Sequence, residues 1–441
     1  MISKDILILF GATGDLVTKK ILPALNNWYE EEFPYKKILC LGRKIFKEED
    51  YLNFIQRKGQ FKINDNFKKT IEYVSMEFEL FDGYARLKAL LDSYSGYKRN
   101  FYLAVKPQLF EIITTNLSNS MLFCKGNNDH KIIFEKPFGE DFISFRKIQN
   151  NLLMLSNESQ IFRIDHYLGK DMIRNILLLR FSNRLFEHAW NNEAISSIKI
   201  ISFEKDGVEE RIDYYDKSGA INDMVQSHML QMLALIAMEK PDDFESESIR
   251  AKKLEIMNKF KIIENEVIVG QYKSYRDILP AFSDSNTETY VKSKLSIDLP
   301  IWKNVDFIIE TGKKMSSKKT QIEILFKEST LHLDKFTEIK TRANELIIEI
   351  YPNEGVNFKF NSKAPGYDFD MDFVESEYCH ACRVTGNKPE AYTKLLMDVK
   401  SGDKTLFVGF EEIEIQWKIS ELIKKYSLDT ELIIYEEREL G

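Results

Sequence analysis

The sequence is poor in the residues that cross-link small secreted proteins, and it lacks the long apolar runs that cross membranes. It has four cysteines among 441 residues, too few for a disulfide framework in a chain of this length. The longest apolar stretch, MLQMLALIAM, carries Gln231 and is about half a membrane span. The opening residues MISKDILILF hold too short an apolar run for a signal peptide. These absences predict a cytoplasmic protein that does not act at a membrane.

Acidic residues outnumber basic ones, 69 to 62, so the net charge is −7 and the isoelectric point is about 5.7. An acidic chain argues against nucleic acid as the main partner, since phosphate backbones bind basic faces. The balance of 44% hydrophobic and 30% charged residues is typical of a globular protein. The length suits two domains.

Metal-binding patterns are scarce as well. Cys379 and Cys382 form one C-x-x-C around His380, whereas a structural zinc site usually needs a second pair of ligands. We predict no bound metal and interpret the two cysteines as incidental, with a zinc site as the alternative.

A glycine loop at residues 11–20, GATGDLVTKK, has two glycines where the common G-x-G-x-x-G fingerprint has three. It follows ILILF (6–10), a continuous apolar run typical of a parallel strand buried on both faces. Gly11 and Gly14 allow the backbone to approach a pyrophosphate, Thr13 adds a hydroxyl, and the following helix offers free N–H groups. This stretch therefore predicts nucleotide binding.

Strand candidates alternate with helical stretches through the first third of the chain. After the first strand they are KILCLG (37–42), YVSMEF (73–78), NFYLAV (100–105), KIIFEK (131–136) and IFRIDH (161–166). The alternation predicts a doubly wound parallel sheet. Its ligand should lie at the carboxyl ends of the strands, where the glycine loop, Lys136 and Asp165 fall.

The remainder of the chain mixes helical segments with alternating strand candidates. The helical segments are 170–190, 218–239 and 246–259, and the strand candidates are 195–204, 306–312, 320–326 and 344–352. This pattern predicts an α+β domain with a mainly antiparallel sheet. The polar stretch AFSDSNTET (281–289) is interpreted as a surface loop. We predict one domain over 1–165 and a second over 166–441.

Five stretches carry a family resemblance. They are GATGDLVTKK (11–20), EKPFG (135–139), RIDHYLGKDMIRN (163–175), GVEERIDYYDKSGAINDMVQSHMLQ (207–231) and TGKKMSSK (311–318). Together they resemble the glucose-6-phosphate dehydrogenase family, and weaker matches extend the similarity over nearly the whole chain. RIDHYLGK is specific, whereas the glycine loop and EKP are not. The resemblance implies an N-terminal Rossmann domain followed by a larger α+β domain, in agreement with the strand and helix pattern.

The resemblance implies oxidation of glucose 6-phosphate at C1 to a 6-phosphoglucono-1,5-lactone, with NADP as the cofactor and NAD possible. Such a reaction needs a base for the hydroxyl proton and a nicotinamide for the hydride. His228 matches the family's general base, and Asp165 matches the carboxylate that orients it. On pattern alone, a helical histidine is more often structural, and Asp165 could cap a helix.

The resemblance also assigns the residues that contact the ligands. His166, Tyr167 and Lys170 match the residues that hold the 6-phosphate. The other substrate-side matches are Lys20, Lys136, Glu204, Asp223, Lys313 and Lys318, of which Lys20 and Glu204 are otherwise interpreted as surface residues. The cofactor-side matches are Gly11, Thr13, Gly14, Asp15, Leu16, Arg43 and Lys136. Without the resemblance, TGKKMSSKK would be interpreted as a solvated loop.

Cofactor choice depends on the end of the second strand. NAD-selective folds place an acid there to bind the ribose 2′-hydroxyl, whereas this strand ends CLGRK without one. Arg43 can meet a 2′-phosphate with a planar set of donors. We predict a preference for NADP with some activity on NAD; the alternative is that Arg43 is only a surface cation.

Several residues depart from the family pattern. Ser227 stands where the family usually has Asn, the CLGRKIF segment is shorter than usual, and AVKPQ leaves the Lys106–Pro107 isomer open. The shorter C-terminus argues against an extra structural NADP site. Two alternatives stay open: a dehydrogenase of another 6-phosphohexose or an aldose, and a non-catalytic homologue. The family implies a homodimer or homotetramer.

Overall fold

The computed structural model describes residues 4–279, 285–328, 341–366, 371–380, 382 and 391–437. These residues form two compact units. The first contains the described residues of 1–169, 245–247 and 388–414, and the second contains the rest. The domain boundary after residue 165 stays a prediction.

The strands, in chain order, are β1 (Asp5–Phe10), β2 (Lys37–Gly42), β3 (Ile71–Ser75), β4 (Lys98–Leu103), β5 (His130–Glu135), β6 (Ile161–Ile164), β7 (Ile195–Phe203), β8 (Phe260–Tyr272), β9 (Tyr290–Ile297), β10 (Asp306–Gly312), β11 (Lys319–Phe326), β12 (Glu345–Tyr351), β13 (Gly355–Lys363), β14 (Met371–Cys379) and β15 (Ile433–Tyr435).

The α-helices are α1 (Leu22–Glu31), α2 (Glu48–Gly59), α3 (Asp65–Thr70), α4 (Phe81–Asp92), α5 (Phe110–Asn119), α6 (Phe142–Leu155), α7 (Asp171–Phe181), α8 (Arg184–Ala189), α9 (Ile212–Ala220), α10 (Leu230–Ala237), α11 (Ser246–Met257), α12 (Ala391–Ser401) and α13 (Phe410–Ser427). Two π-helical segments, Val17–Ile21 and Ile221–Met229, lead directly into α1 and α10.

The first unit contains a six-stranded sheet in the order β3-β2-β1-β4-β5-β6, and each neighbouring pair of strands is parallel. Strand β1 is buried on both faces. Leu7 and Leu9 pack into one hydrophobic cluster, whereas Ile6, Ile8 and Phe10 pack into another. This double burial explains why ILILF is apolar throughout, and the predicted doubly wound sheet is confirmed.

The second unit contains a nine-stranded sheet in the order β14-β13-β12-β11-β7-β10-β9-β8-β15. Its pairs are antiparallel except β7 with β10 and β8 with β15. The predicted α+β domain with a mainly antiparallel sheet is therefore confirmed. Helix α10, which contains most of the longest apolar stretch, is buried throughout. None of the described helices is long and apolar enough to span a membrane.

Some predicted elements have different bounds in the structure. Strand β3 covers Ile71–Ser75 rather than 73–78, because Met76 and Phe78 are buried in the core without belonging to the strand. The helical stretch 170–190 is interrupted after Phe181 and resumes at Arg184. The Lys106–Pro107 bond is trans, while Lys136–Pro137 is cis.

The surface-loop interpretation of 281–289 is wrong for Ser285 and Thr289, the two ends of the part that the structure describes, whereas Asn286 between them is exposed. Residues 281–284 lie outside the described residues. Ser285 and Thr289 are 8% and 0% exposed. Their polar groups are satisfied internally, because the Gln271 amide donates to the Ser285 carbonyl and the backbone N–H of Tyr272 donates to the Thr289 hydroxyl. The polar composition therefore belongs to a hydrogen-bonded segment with buried ends, not to a fully solvated loop.

Candidate active site

The glycine loop is held against the ends of two strands. Gly11 has φ +82°, in the left-handed region that favours glycine. The backbone N–H groups of Gly11 and Ala12 both donate to the Leu41 carbonyl, at 3.0 and 2.9 Å. A Cβ at Gly11 would overlap the Ala104 carbonyl oxygen and lie 3.0 Å from its carbonyl carbon. Only glycine permits this approach.

The helix after the loop begins with unpaired amides. Its first internal bond runs from the Thr18 N–H to the Gly14 carbonyl at 3.0 Å, so the N–H groups of Asp15, Leu16 and Val17 have no intrahelical acceptor. Amides at a helix N-terminus bind phosphate oxygens well. The residues predicted to hold a pyrophosphate therefore form a suitable cradle.

Asp15 would repel a phosphate if its charge were not balanced. Its carboxylate accepts from Lys19 and Lys58, each at 2.7 Å. These hydrogen bonds hold the pKa of Asp15 down at about 2, so the group is ionised at neutral pH. The two ammonium groups leave the start of the helix with a net positive charge.

Helix α2 supplies two residues that the sequence analysis missed. The Lys58 ammonium also donates to the Thr13 carbonyl at 2.9 Å, and the Tyr51 hydroxyl donates to the Ala12 carbonyl at 3.0 Å. Both therefore hold the loop from the side. No local pattern could show this, because α2 begins only at Glu48, far along the chain from the loop.

Arg43 immediately follows strand β2 and is exposed. It lies two residues beyond Leu41, whose carbonyl binds the glycine loop, so Arg43 and the loop lie at the same edge of the sheet. Lys44 is also exposed and lies over the Phe54 ring, with its ammonium 5.7 Å from the ring centroid. Lys20 is an exposed residue of the first π-helical segment.

Lys136 is half-buried at the end of strand β5. The preceding Glu135 is buried and accepts a hydrogen bond from the Tyr102 hydroxyl. Burial, and to a smaller extent the nearby Asp165 carboxylate, raise the pKa of Glu135 to about 8. Glu135 is therefore mostly protonated at neutral pH and places no second negative charge beside Asp165.

Asp165 organises the turn that follows β6. Its Oδ1 accepts from the Tyr167 N–H at 3.0 Å, and its carbonyl accepts from the Leu168 N–H at 3.0 Å. Asp165 and Tyr167 are buried, whereas His166 is exposed. Gly169 allows close packing of the backbone, because a Cβ there would lie 3.0 Å from the Ala391 carbonyl oxygen.

In the second unit, the structure brings Glu204, Asp223 and Lys313 together. The buried Lys313 ammonium pairs with Glu204 and lies 3.6 Å from Asp223. It also lies 5.0 Å from the centroid of the Tyr215 ring. Arg211 reaches Asp223 at 3.7 Å, and neither it nor Tyr215 was identified from the sequence. Alternating donors and carboxylates of this kind suit the hydroxyl groups of a sugar.

His228 is 2% exposed and lies in the π-helical segment Ile221–Met229. Such segments are rare and frequently occur at functional sites. The Gln416 amide donates to the Ser227 carbonyl at 3.1 Å, which fixes the backbone beside the histidine. The Ser227 hydroxyl is buried and has no hydrogen-bond partner among the described residues.

The two remaining lysines lie at the ends of elements. Lys170 is half-buried and immediately precedes helix α7. Lys318 is exposed, lies 3.8 Å from the Asp206 carboxylate and stacks over the Tyr351 ring. Lys318 therefore belongs to a more open region than Lys313.

The interpretation of the C-x-x-C pair as incidental is wrong. Cys379 and Cys382 are joined in a disulfide at the end of β14, a pairing that their spacing alone did not indicate. The other two cysteines, Cys40 and Cys124, are free.

Two family models together match nearly the whole chain. The family model of the glucose-6-phosphate dehydrogenase NAD binding domain matches residues 8–175, and that of the C-terminal domain matches 177–441. A Bacillus subtilis glucose-6-phosphate 1-dehydrogenase is 36% identical over 450 residues, covering 96% of this chain and 91% of the relative. The cytoplasmic isoform 6 of Arabidopsis thaliana is 34% identical over 437 residues, covering 94% and 84%.

Solved structures show the same similarity. A glucose-6-phosphate dehydrogenase in complex with its substrate glucose 6-phosphate superposes with a TM-score of 0.92 at 31% identity, covering 100% of this chain and 96% of that one. A parallel sheet with a glycine loop after its first strand, followed by an α+β domain, together with these matches, places the chain among nicotinamide-dependent oxidoreductases. More particularly, the chain belongs to the glucose-6-phosphate dehydrogenase family.

Replacing Gly11 with alanine should weaken binding of reduced nicotinamide dinucleotide at least about tenfold, because the new Cβ displaces the loop from Ala104. Fluorescence titration of the reduced cofactor measures this affinity. Gly96→Ala is the matched control, since Gly96 has nearly the same φ (+80°) but no atom within 4 Å of the added Cβ. Equal weakening in both variants would mean that the loop does not hold the cofactor.

Proposed function

We propose that this protein oxidises glucose 6-phosphate at C1 to 6-phosphoglucono-1,5-lactone and reduces NADP. The observation that carries the proposal is the Glu204–Lys313–Asp223 cluster in a chain that belongs to this family along its whole length. The cluster offers two carboxylate acceptors and one ammonium donor to the hydroxyl groups of a sugar ring.

His228 is proposed as the general base that takes the proton of the C1 hydroxyl. Its burial and the anchoring of the neighbouring Ser227 carbonyl by Gln416 support the role, because a base must be held at a defined position. Asp165 is proposed as the carboxylate that stabilises the protonated imidazole, by the logic of any His–Asp pair. That pairing depends on the family resemblance.

The 6-phosphate is proposed to bind His166, Tyr167 and Lys170, with Lys318 as a further cation. A dianion is costly to remove from water unless charged or polar donors replace its hydration. Lys136 and Lys20 are proposed as further substrate contacts. Lys170 supports this assignment because it is half-buried at the start of helix α7, where the helix dipole also favours an anion.

The glycine loop is proposed to hold NADP, which accepts the hydride from C1 when bound. The amides of Asp15 and Leu16 face no intrahelical acceptor and suit the pyrophosphate. Arg43 is proposed to bind the 2′-phosphate. Two observations support a preference for NADP over NAD: Arg43 is exposed, and CLGRK contains no acidic residue that would repel the phosphate. NAD lacks only that phosphate and should be a weaker cofactor.

Assembly and location are proposed from the family. We expect a homodimer or homotetramer in the cytoplasm, and the Arabidopsis relative is named as cytoplasmic. The domain division at residue 165 is retained as part of the same proposal.

The purified protein should reduce NADP fastest with glucose 6-phosphate in a panel of hexoses and hexose 6-phosphates, measured by absorbance of the reduced cofactor. Lys170→Ala should raise the KM for glucose 6-phosphate by one to two decades, the usual loss of a charge-assisted contact, and affect free glucose far less. Faster turnover of another 6-phosphohexose would identify that sugar as the substrate. Absence of turnover would indicate a non-catalytic homologue.

His228→Asn should lower kcat at least about 10²-fold, because general-base catalysis is lost, while the KM for glucose 6-phosphate changes little. Steady-state kinetics measures both parameters. His188→Asn, on the exposed face of helix α8, is the matched control and should keep the original kcat. A His228 variant that retained most of its kcat would exclude this residue as the base.

Arg43→Ala should raise the KM for NADP roughly tenfold or more and barely change that for NAD, because only NADP carries the 2′-phosphate. The ratio of kcat/KM for the two cofactors measures the effect. Arg86→Ala, an exposed arginine on α4, is the control. An unchanged ratio in Arg43→Ala would shift the assignment to Lys44.

A further inference from the structure

Residues 285–289, of which Ser285 and Thr289 are buried, form a segment that is fixed at several points, here called the 285–289 segment. The Gln271 amide on β8 donates to the carbonyls of Ser285 and Thr287, both at 3.0 Å. The Thr287 hydroxyl donates to the Asp216 carbonyl on α9 at 2.6 Å. The segment is therefore held between a strand and a helix and can serve as a rigid support.

Glu288, within this segment, caps the helix that carries two proposed site residues. Its Oε1 accepts from the Ile221 N–H at 3.0 Å, and its backbone carbonyl accepts from the Ala220 N–H at 2.9 Å. Ile221 opens the helical segment that contains Asp223 and His228. A carboxylate at this position satisfies an amide that has no partner within the helix and complements the helix dipole.

Gly219 provides the space for this carboxylate. Its φ of +64° and ψ of 178° belong to a backbone region that is essentially restricted to glycine. A Cβ at Gly219 would lie 2.6 Å from Cδ and 2.7 Å from Oε2 of Glu288. The chain before the helix is therefore shaped around the Glu288 side chain.

The next residue, Thr289, fixes the backbone of Lys313, which belongs to the Glu204–Lys313–Asp223 cluster. Its carbonyl accepts from the Lys313 N–H at 3.0 Å, and the Tyr435 hydroxyl donates to the Lys313 carbonyl at 2.7 Å. Adjacent residues of one segment therefore hold the helix that carries Asp223 and the turn that carries Lys313.

We propose that Glu288 is a positioning residue that sets the distance between Asp223 and Lys313 and thereby the affinity for the sugar phosphate. The proposal rests on the proposed function of that cluster. Asp223 lies in the first turn after the cap, whereas His228 lies farther along, next to the Ser227 carbonyl that Gln416 binds. Loss of the cap should therefore disturb substrate binding more than catalysis.

The test compares Glu288→Ala with Glu288→Gln. Glu288→Ala should raise the KM for glucose 6-phosphate about tenfold, the size expected for one lost hydrogen bond to a charged group, with kcat changed less than threefold. Glu288→Gln should restore most of the affinity, because its amide oxygen can still accept from Ile221. An unchanged KM in Glu288→Ala, or equal damage in both variants, would overturn the proposal.

Gly219→Ala provides a second, independent test of the role of Glu288. Its Cβ collides with the Glu288 carboxylate, so the variant should raise the KM as Glu288→Ala does, and the double variant should raise it no further. Additive increases would contradict a shared role. Asn64→Ala is the control, because it removes a side-chain cap from helix α3, which carries no proposed site residue. This variant should leave the KM unchanged. An equal rise in its KM would mean that Glu288→Ala acts by lowering the stability of the protein and not by moving Asp223.

Hydrogen exchange separates this inference from the proposed function. The amides of Ala220 and Ile221 should exchange faster in Glu288→Ala than in the original protein, whatever substrate the protein uses. If the original protein fails to oxidise any sugar phosphate while these amides respond, the proposed function fails and the cap stands. Unchanged exchange would refute the cap itself.

Discussion

The proposed substrate site depends on the buried ammonium of Lys313 and its two carboxylate partners, Glu204 and Asp223. A charged group in such a position is strongly destabilising without compensation. The three residues follow β7, begin a helix and follow β10, so this charge balance requires three separate elements to be in place together. The same requirement leaves one donor and two acceptors in a fixed arrangement, which is what recognition of a polyhydroxyl ligand needs.

The cofactor side depends on close backbone packing instead of charge. The glycine loop reaches Leu41 by two hydrogen bonds and comes too near Ala104 for any side chain at Gly11. Lys58 and Tyr51 then hold it from helix α2. A loop supported in this way presents helix amides to a phosphate without rearrangement, so little ordering cost remains for binding.

Some strand bounds could be predicted from the sequence, whereas other features could not. Strands β2 and β10 have the predicted bounds, and each ends at a glycine. Strand β3 was misplaced because the buried Met76 continues its apolar pattern beyond the last strand residue. The 285–289 segment was predicted as surface because polar composition does not reveal whether hydrogen-bond partners lie in water or in the protein. The disulfide between Cys379 and Cys382 was missed because spacing alone does not specify geometry.

The sequence by itself determined the two sheet types, the glycine loop after the first strand and the absence of an acid in CLGRK, because hydrophobic periodicity and turn chemistry are local properties. Its motifs also named the residues of the sugar cluster through family resemblance. Only the tertiary structure decided that Lys313 pairs with Glu204 and Asp223, that Lys58 neutralises Asp15, and that Glu288 caps the helix at Ile221. These partners are distant in the chain, and no local pattern encodes which distant charge or amide will lie within hydrogen-bonding distance once the core has packed.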